Sequence, residues 1–96
     1  MMTESIDLET LRVFRFVRDY IRENKIAPSQ REIAKATFMA TTTMVIHLTR
    51  LEMRGWLHRE YNIPRSLHLG DLAPSDEKFD VFWQTALEVD EEKTSP

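Results

Sequence analysis

Three consecutive threonines, Thr41, Thr42 and Thr43, lead the apolar run in ATTTMVIHLTRL, residues 40–51. A threonine hydroxyl both donates and accepts hydrogen bonds, and its methyl packs against apolar groups. At the head of a helix those properties suit a base edge, a phosphate or a thymine methyl in the major groove of B-DNA. Val45 and Ile46 add methyls for the same purpose, Thr49 shares the outward arc, and Arg50 lies far enough along to meet a phosphate. No arginine in this stretch precedes Arg50, so a bidentate guanine contact is missing and T-containing sites are favoured only weakly. Each residue also has a plainer reading. Thr41 suits a helix cap as well as a base, and Val45 and Ile46 suit burial against a neighbouring segment or a protein partner.

Other groups frame this stretch. Ser29, Gln30 and Arg31 open a predicted helix whose free amides and dipole favour a phosphate. Arg59 and Arg65 flank a predicted turn from which they would straddle an adjacent groove, or simply add solubility. His47, His58 and His68 show neither metal-ligand spacing nor a partnering carboxylate, so no metal or other cofactor is expected. A glycine-rich phosphate loop, a nucleophile with a placed base and a catalytic carboxylate pair are all missing, which argues against an enzyme.

The elements that would position these residues follow from periodicity. LETLRVFRFVRDYIREN, residues 8–24, places Val13, Phe14, Phe16, Val17, Tyr20 and Ile21 on one arc and an arginine stripe on the other. That stripe is either a solvated face or a phosphate contact. Pro28 closes the helix, and Ser29 with Glu32 forms a capping-box signature for a second helix ending near Lys35. Met44, Leu48 and Leu51 set a stripe for a third helix over 41–54, stopped by Gly55. Residues 56–69 change to a two-residue period around Asn62–Pro64, the pattern of a two-stranded hairpin. The order is that of a winged helix-turn-helix: an α+β, mostly helical domain of three helices and a β-hairpin wing over residues 1–70.

Residues 71–90 read as a linker and an additional amphipathic C-terminal helix, and 91–96 as a disordered tail. Phe79, Phe82, Trp83, Ala86 and Leu87 share one face of that helix. The face either dimerises, as a domain reading half a site would need, or covers the protein's own core.

The chain has 96 residues, 42% of them hydrophobic, with no cysteine and a net charge of −3. That suffices for one core and excludes disulfides and cysteine-bound metals. Charge is uneven: residues 1–70 hold eleven Lys and Arg against eight Asp and Glu, and residues 71–96 hold two against eight. Either a neutral domain carries a solubilising tail, or a mildly basic binding domain carries an acidic appendage. No apolar run approaches the roughly 20 residues that span a bilayer, and MMTESIDLET is unlike a signal peptide. A cytoplasmic protein without a membrane partner is expected.

RVFRFVRDYIRENKIAPSQREIA, residues 12–34, resembles the first two helices of the N-terminal DNA-binding domain of the LexA repressor family. HLTRLEMRGWL, residues 47–57, is similar to the end of that family's recognition helix, and PRSLHL to its second wing strand. The resemblance covers residues 8–69. It implies a sequence-specific double-stranded DNA-binding transcriptional regulator, with 41–54 in the major groove and 56–69 on the flanking backbone or minor groove. No small-molecule ligand is implied. The chain departs from the family pattern at Phe38, where a glycine is usual, and in a turn about one residue shorter, so the family's base contacts do not carry over wholesale. It also has no room for the self-cleaving C-terminal domain, which suggests a stand-alone DNA-binding half. The alternative from another class is a winged-helix protein-interaction module that does not bind DNA, favoured by the pI near 5.6.

Overall fold

A computed structural model describes residues 6–94, with side chains as far as residue 90. The elements run α1 (Leu8–Asn24), α2 (Gln30–Thr37), α3 (Thr41–Met53), β1 (Leu57–His58), β2 (His68–Leu69) and α4 (Asp76–Thr94). This is the winged helix-turn-helix order with a fourth helix added.

The apolar arc of α1 buries Leu11, Val13, Phe14 and Val17. α1 touches α2, α3 and α4, so it is the element around which the others assemble. Met44, Leu48 and Leu51 of α3 are wholly buried, as their i, i+4, i+7 spacing requires, and Ile33 fills the space from α2. The centre is aromatic. The Phe14 ring meets Trp56 edge-on at 5.2 Å and Phe79 at 5.6 Å, and Trp56 in turn meets Phe82 at 5.1 Å.

β1 and β2 are shorter than the alternating pattern suggests. They pair antiparallel over two residues each, Leu57 opposite Leu69 and His58 opposite His68. The connecting stretch 59–67 is irregular, with Asn62 and Arg65 at positive φ. Its ends are pinned by Ser66, whose hydroxyl accepts from the Glu60 N–H at 2.9 Å and donates to the Glu60 carbonyl at 3.0 Å. Gly55, at φ 78, turns the chain out of α3. Gly70 lies so close to the Gly55 backbone that a Cβ there would collide with the Gly55 carbonyl oxygen.

The C-terminal face has its partner within the chain. Phe79 and Ala86 are buried against the core, and Phe82 and Trp83 pack on it. Four of the five residues of this face, all but Leu87, therefore meet the chain's own core. α4 extends to Thr94, four residues into the expected tail of 91–96. Residues 95 and 96 lie outside the described residues.

The arginine stripe of α1 also has a use. Arg22 donates to Asp76 at 2.9 and 3.1 Å, Arg18 approaches the same carboxylate at 3.5 Å, and Arg15 stacks 4.0 Å over the Trp83 ring. The hydrogen bond from Arg22, with the charges of Arg22 and Arg18, outweighs desolvation and holds the Asp76 carboxyl below its ordinary value of 3.8. A lowered folded-state pKa contributes stability above the unfolded value that is lost as pH falls through the folded one. Urea denaturation along a pH series should therefore show stability declining below about pH 4. Asp76→Asn should flatten that decline and leave the α1–α4 attachment weaker at neutral pH.

Candidate nucleic-acid interface

α2, its turn and α3 form the helix-turn-helix, and local chemistry sets each part. The capping box at the start of α2 is complete. The Glu32 N–H donates to the Ser29 hydroxyl at 3.1 Å, and the Ser29 N–H donates to Glu32 Oε1 at 2.7 Å. The Ser29 N–H bond, aided by Arg65, holds the Glu32 carboxyl below its ordinary range.

α2 reaches Thr37, two residues past the expected end, because the Thr37 hydroxyl donates to the Ile33 carbonyl at 2.7 Å and Arg12 donates to the Thr37 carbonyl at 2.9 Å. Phe38 then adopts φ 59, ψ 41, the left-handed conformation that a helix C-terminus favours. Its N–H donates to the Lys35 carbonyl and that of Met39 to the Ala34 carbonyl. The backbone thus makes the turn that a glycine would ease, and the Phe38 side chain is left 90% exposed.

α3 is seated by packing and by one polar bridge. Thr10 donates to Asp7 at 2.7 Å, so its hydroxyl is free to accept from Nδ1 of the buried His47, also at 2.7 Å. Arg50 approaches the same Asp7 at 3.4 Å. Burial alone would raise the Asp7 pKa. The Thr10 hydrogen bond, a backbone bond and the charges of His47 and Arg50 together bring it below the ordinary value.

On the opposite side of α3 the surface is open. Thr41, Thr42, Thr43, Ile46, Thr49 and Arg50 are all exposed, Ile46 by 53%. Ala40, not Thr41, occupies the N-cap position, and among the described residues no side chain caps this helix. Thr41 thus stands at the helix start, one position past the cap, with no capping hydrogen bond from its hydroxyl. The Thr49 hydroxyl does donate to the Val45 carbonyl at 3.0 Å, which leaves it accepting lone pairs. Val45 is half-buried and packs against the core, whereas Ile46 faces outward; the pair that sequence left together is split.

Three other expected contacts sit differently. Ser29 has its amide and hydroxyl committed to Glu32, so of the 29–31 group only Gln30 and Arg31 remain available, both exposed. Arg59 folds back, its Nε 3.1 Å from Glu52 in an ion pair without hydrogen-bond alignment, and its side chain is only 19% exposed. Arg65 reaches the Ala27 carbonyl and Glu32 Oε1, each at 3.0 Å, tying the wing to the start of α2. Both wing arginines thus pair with a carboxylate of the helix-turn-helix, Arg59 largely covered and Arg65 still exposed. What the wing does expose is Tyr61 and Ile63, which the sequence reading passed over. Their position in a turn-rich stretch was the available signal.

The family described as LexA DNA binding domain matches residues 9–66, which hold α1 to α3 and most of the wing. The chain belongs to the LexA DNA-binding-domain family. Among LexA repressors, that of Caldicellulosiruptor saccharolyticus is 37% identical over 60 residues, covering 62% of this chain and 30% of that protein. That of Lactobacillus johnsonii is 33% identical over 69 residues, covering 71% and 33%. That of Syntrophotalea carbinolica is 43% identical over 58 residues, covering 59% and 29%. The chain spans about a third of the length of the curated relatives it matches. The family match ends at residue 66, before β2 and α4.

Phe38 offers a direct check on the turn. A left-handed residue with a Cβ costs roughly 1–2 kcal/mol, and the exposed ring offsets little of it by packing. Phe38→Gly should raise the unfolding free energy by about 0.5–1 kcal/mol after the greater chain entropy of glycine is counted. Denaturant titration of the two proteins measures the difference.

Proposed function

We propose that the chain is a sequence-specific double-stranded DNA-binding transcriptional regulator that inserts α3 into the major groove. The observation that carries this reading is the two-sided character of α3. One side is wholly buried at Met44, Leu48 and Leu51, and the other presents Thr42, Ile46, Thr49 and Arg50 to solvent. Thr42 and Ile46 read thymine-bearing base pairs through hydroxyl and methyl contacts, with Thr41 and Thr43 beside them at the helix start. Arg50 and Arg31 hold the phosphates on either side, and Gln30 adds a polar contact to the backbone. Val45 supports the helix from behind. The wing lies against the flanking backbone or minor groove, with Tyr61 and Ile63 at its surface.

The relatives named above are repressors, and the DNA-binding domain they share with this chain supports the same regulatory role here. No helix among the described residues is long and apolar enough to cross a membrane. One domain covers half a site, so two copies on a palindrome are expected. Because Phe79, Phe82, Trp83 and Ala86 are engaged within the chain, adjacent half-sites on the DNA rather than that face would bring the copies together.

A second reading has an observation of its own. Ile46 and Met53 are exposed apolar side chains on α3, and Arg59 and Arg65 are engaged with Glu52 and Glu32, which suits a protein-interaction module. Selection from a random duplex library separates the two. DNA reading yields an enriched motif bound with a steep salt dependence, and the interaction module yields none. On the enriched site Thr42→Ala and Ile46→Ala should change base preference at particular positions. Arg50→Ala should weaken binding to every sequence and lower the salt slope by about 1.

A further inference from the structure

His58 and His68 stand ten positions apart in the chain, which hides their relation in the sequence. The hairpin register removes the separation. The two residues are direct partners across β1 and β2, and direct partners project from one face of an antiparallel pair. Their rings lie 4.9 Å apart at 55°. Glu60, two positions past His58, brings Oε2 to 2.9 Å from His58 Nε2. Arg59 between them turns the other way to Glu52, so no cation of the chain intrudes from that residue. The expectation that the histidines lack a neighbouring carboxylate is thus corrected for this pair. One ligand atom from each of His58, Glu60 and His68 lies within 4.8 Å of the other two, and all three side chains are exposed.

We propose that His58, Glu60 and His68 form an open two-histidine, one-carboxylate site for Zn2+ or a similarly borderline divalent cation at the base of the wing. Imidazole nitrogen and carboxylate oxygen bind zinc at about 2.0–2.2 Å, which places ligand atoms of a tetrahedral set roughly 3.4 Å apart. Exposed side chains close the remaining gap by rotation, without movement of the strands. Two imidazoles select against Mg2+ and Ca2+, which require oxygen ligands. Three protein ligands leave a fourth coordination position for water or another donor.

The hydrogen bonding already orients one ligand. His68 Nδ1 lies 3.2 Å from the Leu69 carbonyl, which can only accept, so Nδ1 carries the proton and Nε2 keeps the lone pair for the metal. Between His58 Nε2 and Glu60 a cation takes the place of the shared proton. The bound ion crosslinks β1 to β2 where only two residues of each strand are paired, and closes the mouth of the 59–67 stretch. Metal occupancy thereby sets how firmly the wing is held.

The test uses the full chain without an affinity tag, titrated with Zn2+ by calorimetry and by competition with a chromophoric chelator. One Zn2+ per chain is expected, in the micromolar range or tighter, and Co2+ should give the visible bands of a tetrahedral site. His58→Ala and His68→Ala should each weaken binding by about tenfold or more, and Glu60→Gln by less, with unchanged circular dichroism since all three are exposed. Amide exchange in residues 57–69 should slow on addition of Zn2+. The proposal is overturned by an absence of saturable binding below millimolar Zn2+, or by binding that survives the combined loss of both histidines.

Discussion

The Phe14 ring lies between Trp56 and Phe79, so one side chain of α1 joins the start of the wing to the helix that follows it. Trp56 extends this contact to Phe82, and Phe79 extends it to Trp83. Aromatic rings bury large areas and pack with edge and face preferences, so the cluster fixes angles as well as distances. The pose of α3 depends on it indirectly: its inner stripe is pressed on α1, and the chain leaves α3 through Gly55 directly into Trp56. Loosening Phe14 would release the wing, α4 and the α1–α3 contact together.

Electrostatics reinforces that arrangement on the α4 side of α1. The arginine stripe and the acidic C-terminal segment look like independent features in the sequence, yet Arg18 and Arg22 meet at Asp76, and Arg15 lies on Trp83. The exposed pairs among these contribute modestly to stability. Their larger effect is on how the net charge of −3 should be understood. Part of the basic surface of α1 is consumed in attaching the acidic helix, and the cations of the α2–α3 side, Arg31 and Arg50, are separate from that exchange.

How much of this was legible in the sequence depends on the range of each interaction. The capping box at Ser29 and Glu32 was legible because both of its hydrogen bonds close within three residues. The buried stripe of α3 was legible because 3.6-residue periodicity survives poor intrinsic helix propensity in TTTMVI. The apolar face of α4 declared that it would be buried but not against what, since a dimer and a folded-back helix need the same pattern. Long flexible cations were the least legible. Arg59 and Arg65 find Glu52 and Glu32, one on the preceding helix and the other far back in the chain, and only the tertiary path brings them together. The meeting of His58 with His68 required the strand register, which the two-residue pattern indicates only approximately.

The close approach of Gly70 to the Gly55 backbone bears on how this fold can vary. Any side chain at Gly70 would strike the Gly55 carbonyl, so the return point of the wing is closed to substitution. The tip of the wing, residues 61–64, is irregular and exposed, and a loop of that kind accepts changes of length and composition at small cost. The tip is therefore a replaceable insert on a hairpin whose base is fixed. A lineage can alter what it touches at the tip while Leu57 and Gly70 preserve how the rest of the domain is strung.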